Sequence, residues 1–125
     1  MAKQAHLTAD VVEAVGRAKI LGVRSGDQHR YTGVWVVVVD GRVFVRSWND
    51  MPAGWYRAFR GEPRGSLQVG SREIAVRAID TRGARLRKAV TDAYAKKYDT
   101  KASQKWVTGF AEPERERTTL ELVPA

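Results

Sequence analysis

The sequence predicts an α+β fold, a small antiparallel β-barrel of about six strands with an N-terminal helix and a C-terminal amphipathic helix. Three observations predict it. A β-branched and aromatic run from Thr32 to Val39 turns at Asp40-Gly41 and returns through Arg42 to Trp48. A second pair of runs, Ser66–Val69 and Arg72–Ile79, alternates in period two around Gly70-Ser71. Between Ala84 and Tyr98 the apolar residues Leu86, Ala89, Val90, Ala93 and Tyr94 recur at helical spacing. The 125 residues suit a single domain, 1–125.

The first element is a helix. Thr8 stands where a cap is needed, Asp10 and Glu13 place negative charge at the positive end of the helix dipole, and Leu7, Val11, Val12 and Val15 form one apolar stripe. Gly22 and the cluster Ser25-Gly26-Asp27 interrupt it, with a short strand expected around Ile20–Arg24. Asp40-Gly41 suits a two-residue type I′ turn, because both central positions require positive φ. The segment Asn49–Gly61 opens as a turn and becomes a short helix through Trp55-Tyr56-Arg57-Ala58-Phe59, which Pro63 and Gly65 end. Gly70 at the first turn position suits type II′. Beyond the amphipathic helix, a looser stretch carries Trp106 and Phe110. A charged turn, Glu112–Arg117, then leads to a closing strand, Thr118–Val123.

Composition narrows the function classes. Lys and Arg total 22 against 14 Asp and Glu, a net charge of +8, which attracts polyanions and phosphorylated small molecules alike. The absence of cysteine excludes disulfides, thiol nucleophiles and thiolate zinc sites, and fits a reducing, cytoplasmic setting. No apolar run approaches the ~20 residues needed to span a bilayer. The polar start lacks the pattern of a secretory signal, so a soluble chain is expected. His6 and His29 are too few and too far apart for a histidine metal site, and no hydrolase elbow or phosphate-binding glycine loop is present.

Fixing the turn at Asp40-Gly41 fixes the hairpin register. Val39 is expected opposite Arg42, Val37 opposite Phe44, Trp35 opposite Arg46 and Gly33 opposite Trp48. One face is almost purely valine, the content of a small barrel interior. The other carries Trp35, Phe44, Trp48, Arg42 and Arg46, too apolar for water and too charged for a closed core. It requires a partner: a second subunit, a flat aromatic ligand, or the helix Ala84–Tyr98. Trp35 opposite Arg46 also permits a cation–π contact. The run Ser47-Trp48-Asn49-Asp50 beside Arg46 suits either a phosphate site or a turn that satisfies its own backbone.

The hairpin GVWVVVVDGRVFVRSW, the following GWYRAFRGEP and the strands GSLQVGSREIAVRAI resemble the pyridoxamine-phosphate-oxidase-like split-barrel superfamily, closest to its small deazaflavin-dependent nitroreductase-like branch. The resemblance covers about Arg30–Ile79. It implies a split barrel, commonly a homodimer, binding FMN or a deazaflavin as an oxidoreductase of small organic molecules. Carried onto this chain, it implies Arg46, Ser47 and Asn49 beside the phosphate, with Trp55, Tyr56 and Trp35 along the cofactor groove. Trp48-Asn49-Asp50 replaces the family's glycines after the serine, and Arg57 or Arg60 are rival phosphate partners. Tyr31 is the candidate proton donor or substrate-positioning group. The rival expectations are a cofactor-free barrel that stacks an anionic ligand or single-stranded nucleic acid, and a non-redox enzyme of specialised metabolism using the same pocket.

Overall fold

The computed structural model of the chain describes residues 6–48 and 54–125, and its elements follow the hydrophobic periodicities. Helix α1 (Ala9–Arg17) precedes strands β1 (Leu21–Ser25), β2 (Thr32–Val34), β3 (Val36–Val39) and β4 (Arg42–Val45). Helix α2 (Trp55–Gly61) leads into β5 (Arg64–Val69) and β6 (Arg72–Asp80), and α3 (Ala84–Lys97) follows. A 3₁₀ turn (Lys101–Ser103), α4 (Gln104–Phe110), α5 (Pro113–Glu116) and β7 (Leu120–Pro124) complete the chain. Among the described residues, no helix is long and apolar enough to cross a membrane.

Both turns have the backbone that their residues require. Asp40 and Gly41 take φ of +52° and +72°, the type I′ pattern. At the second hairpin only Gly70 turns positive, at +60°, as type II′ needs. The register around Asp40-Gly41 is as expected from Val39↔Arg42 to Val36↔Val45.

Seven antiparallel strands form one sheet in the order β2-β1-β5-β6-β7-β4-β3. β2 and β3 stand at opposite ends of that order yet are consecutive in the chain, joined at Trp35. The barrel is therefore nearly closed, and the chain itself spans the remaining gap at one residue.

This corrects the expected hairpin in one respect. Gly33 pairs with Gly22 rather than Trp48, and the β3–β4 ladder stops at Val36↔Val45, so Trp35 and Arg46 are not a ladder pair. The reason lies in Tyr94 of α3 and Tyr98 at its C-cap, which take over backbone groups at the break. The Tyr94 hydroxyl donates to the Trp35 carbonyl (3.0 Å). The Tyr98 hydroxyl accepts from the Val36 N–H (3.0 Å) and donates to the Lys19 carbonyl (2.6 Å). The Trp35 carbonyl and the Val36 N–H are thereby satisfied without a strand partner. The stretch expected to be loose is also helical, since Val107 and Phe110 bury one side of α4.

Two cores result, one on each face of the β3–β4 hairpin. Val36, Val43 and Val45 line the barrel interior with Leu21, Leu67 and Leu122, and Val11 and Val15 of α1 and Phe59 of α2 pack into it. On the outer face, Val37 and Phe44 pack against Val90 and Tyr94 of α3, Tyr98 just past its end, and Val107 and Phe110 of α4. The chain's own helices thus cover the apolar centre of the face that needed a partner, and that centre is not a dimer interface.

Lys97, at the end of α3, ties α1 and β3 together, donating to the Val36 carbonyl at 2.8 Å and reaching the Val15 carbonyl at 3.4 Å. Burial pushes its ammonium down to about 8 from the usual 10.5. Between those values the unfolded chain holds this proton more firmly than the folded one, so stability should rise with pH from about 8 to about 10. Above 10 the slope turns over, because burial holds the Tyr94 and Tyr98 hydroxyls above their ordinary value and the unfolded chain ionises first. Urea midpoints measured across this range should climb and then fall, and Lys97→Met should remove the climb.

Candidate functional site

The strand break at Trp35 creates a cavity. Its volume is about 450 Å³, within the range of small-molecule sites, and it is lined by Gly33, Val34, Trp35, Arg46, Trp48, Trp55, Trp106 and Phe110. The chain has four tryptophans, and all of them line this one slot. They come from four places: the β2–β3 break, the end of the main hairpin, the start of α2, and α4.

Each wall is fixed by its own packing. The Trp35 ring lies flat on Tyr98, with centroids 4.0 Å apart and planes within 2°. Trp48 meets Trp106 at 4.9 Å and Phe110 at 5.6 Å, both edge to face. The Arg115 guanidinium covers the Trp48 ring at 3.6 Å, and its Nε donates to the Trp48 carbonyl (2.7 Å). Gly109 allows this ring to lie against α4, since a Cβ there would come 2.1 Å from its Cη2. Trp106 remains 42% exposed at the mouth.

Arg46, expected beside a phosphate, is 1% exposed and its donors point inward. Nε donates to Thr119 Oγ1 (2.8 Å), Nη1 to Thr91 Oγ1 and the Phe110 carbonyl (2.8 Å each), and Nη2 to the Arg87 carbonyl (3.0 Å). Burial lowers its pKa, and Glu116 partly offsets this, yet a guanidinium stays charged. Its nearest aromatic face is Tyr94, at 5.8 Å, in place of the expected Trp35. Arg46 therefore clasps α3, α4 and the entry to β7, and contributes a buried positive charge to the slot wall.

The other sequence-derived candidates divide. Trp35 and Trp55 line the slot. Ser47 is buried, with its N–H and carbonyl both engaged by the Thr118 hydroxyl. Tyr56 turns into the barrel core at 7% exposure and does not line the slot. Asn49 lies outside the described residues. Tyr31 stands in a surface network, its hydroxyl bonded to Ser66 Oγ (2.9 Å) and Glu73 Oε1 (2.7 Å) and its ring under Arg24 at 4.6 Å. Burial raises its pKa, and it does not line the slot. Trp48, expected on the aromatic face of the hairpin, lines the slot, whereas Trp106 and Phe110 were not among the expected site residues. The signal for the last two was present in the spacing of Trp106, Val107 and Phe110, one side of a short helix.

The fold is that of a small, nearly closed antiparallel split barrel flanked by helices. Among solved structures, the conserved hypothetical protein Rv2991 of Mycobacterium tuberculosis is similar, with a TM-score of 0.58 and 15% identity over 97% of this chain and 83% of that one. A FAD-binding protein of Mesorhizobium loti (mll6688) has a TM-score of 0.57 and 14% identity over 93% and 85%. No curated protein matches the sequence. Within the split barrels, the chain belongs to the family described as uncharacterized protein conserved in bacteria (DUF2255), whose model matches residues 11–122.

Proposed function

We propose that this protein binds a flat aromatic cofactor of the flavin or deazaflavin type in the tryptophan slot, and that it serves as an oxidoreductase for a small organic molecule. The observation that carries this reading is the convergence of all four tryptophans on one cavity of about 450 Å³. A planar heterocycle gains stacking and edge contacts from such walls, and the FAD-binding fold neighbour from Mesorhizobium loti supports the choice of heterocycle.

The lining fits the ring of such a cofactor. Trp35, pinned by Tyr98, and Trp48, pinned by Arg115 and Gly109, offer apolar surfaces that do not have to reorganise on binding. A flavin-type ring would supply the hydride or electron chemistry, leaving the protein to bind, orient and exclude water. Arg46 places fixed positive charge beside the ring, where it favours a ligand that accepts electrons.

Titrating the protein with FMN, FAD and a deazaflavin while following tryptophan emission tests the reading. Saturable quenching is expected. Trp106→Ala, which removes a partly exposed wall, should weaken binding about tenfold, the loss of one stacking contact. Emission that stays constant through millimolar additions of all three would overturn it.

A further inference from the structure

The slot wall formed by Trp35 has a charged support behind it. Both polar atoms of the peptide bond that follows Trp35 are held by tyrosines, its carbonyl by Tyr94 and the Val36 N–H by Tyr98. The Trp35 ring itself lies flat on Tyr98 at 4.0 Å. Where the Tyr98 ring goes, this wall of the slot follows.

Tyr98 has a single hydroxyl proton and two carbonyls within reach, Lys19 at 2.6 Å and Val36 at 3.2 Å. Lys97 decides between them. Its Nζ donates to the Val36 carbonyl at 2.8 Å, the shorter of the two bonds to that oxygen, and lies 5.4 Å from the centre of the Tyr98 ring. Val36 is fully buried, so its carbonyl must find a donor inside the protein. While the ammonium supplies it, Tyr98 is left to donate to Lys19. Without the ammonium, the Val36 carbonyl competes for the Tyr98 proton, and the ring beneath Trp35 shifts with its hydroxyl.

We infer that Lys97 is a positioning residue for the slot: by holding the Val36 carbonyl it fixes the Tyr98 ring, and through it the Trp35 wall, in the arrangement that receives an aromatic ligand. This rests on the reading of the slot as an aromatic-ligand site. Ligand binding is then linked to a proton. An ammonium binds a carbonyl more strongly than the neutral amine does. A ligand that needs the braced wall prefers the protonated form, and its affinity falls as pH rises through about 8, where burial has brought this group. Tyr98, the titratable group facing Nζ, is held above its ordinary value by burial and stays neutral there. From β3 only valines are present. On α1, Asp10 is paired with Arg72 and Glu13 with Arg17. Lys19, Lys96 and Asp99, the nearby charged residues of the connecting segments and of α3, are exposed.

Riboflavin binding to the full chain, followed by quenching of tryptophan emission, tests the inference. Native affinity is expected to fall several-fold between about pH 7 and about pH 9. Lys97→Met should bind several-fold more weakly at neutral pH and lose that pH dependence. Lys97→Arg should recover part of the affinity and show no fall over this range, because a guanidinium stays charged. Lys96→Met, at the exposed neighbour, controls for net charge and should behave as the native protein does. In the ligand-free chain, the near-ultraviolet circular dichroism of the stacked Trp35–Tyr98 pair should change across the same pH range and stay constant in Lys97→Met. Native affinity that ignores pH here, or a folded Lys97→Met that binds as tightly as the native protein, would overturn the inference and leave the slot reading intact. If the native protein binds no riboflavin at any pH, the slot reading falls and this inference falls with it.

Discussion

Arg46→Leu is expected to lower stability by about 3 kcal/mol, read as a fall in the urea midpoint at unchanged slope. The magnitude follows from what the guanidinium leaves behind. The Thr91 hydroxyl donates to the Arg87 carbonyl and the Thr119 hydroxyl to the Glu116 carbonyl, so these groups keep a partner when the guanidinium is removed. The Phe110 carbonyl at the end of α4 loses its bond from Nη1, and a buried acceptor left unsatisfied costs ~1–3 kcal/mol. The smaller side chain adds a packing defect where α3, α4 and the start of β7 converge. Relief from burying a cation offsets part of the sum, which keeps it below the loss seen when one partner of a buried ion pair is deleted. Arg46→Lys should recover less than half, because one ammonium cannot reach oxygens on three elements. Arg17→Leu is the control. Its pair with Glu13 is exposed on both sides and should contribute little. A loss at Arg46 no larger than at Arg17 would mean that the buried charge is offset by its own desolvation.

The same residue illustrates which parts of the site are legible in a sequence. Alternation along β4 assigns Arg46 correctly to the aromatic face of the hairpin. It does not distinguish a guanidinium that meets a ligand from one that meets a helix, because both follow an apolar strand and precede a polar turn. The register near Asp40-Gly41 was legible because two residues with positive φ admit one turn type, and the turn fixes every pair near it. The break at Trp35 was not. It depends on hydroxyls of Tyr94 and Tyr98, distant in sequence, that offer the backbone a better partner than a strand. The apposition of Gly109 and Trp48 is likewise long-range, and a single glycine in a helical stretch carries no local signal of what lies against it. The four tryptophans were visible one by one, whereas their convergence is a property of the closed barrel.

Phe44→Ala should cost about 3–5 kcal/mol, the usual range for truncating a fully buried phenylalanine, and in a directional way. Phe44 sits on β4 with its ring in the outer core, among Val37, Val90, Tyr94 and Phe110, while its neighbours Val43 and Val45 face the barrel interior. Truncation therefore loosens α3 and α4 from the barrel and leaves the interior packing in place. The walls of the tryptophan slot depend on that outer core. Phe110 belongs to it, Trp35 and Trp48 pack against it, and Trp35 is held flat by Tyr98, the residue that caps α3. Leu67→Ala offers the comparison, since Leu67 is equally inaccessible but lies in the interior core, where truncation costs about 2–5 kcal/mol. Under native conditions both variants should be less stable, yet Phe44→Ala alone should weaken riboflavin binding several-fold. Equal affinity losses in the two would show that the slot responds to overall stability, and that the hairpin's outer face holds the helices without shaping the site.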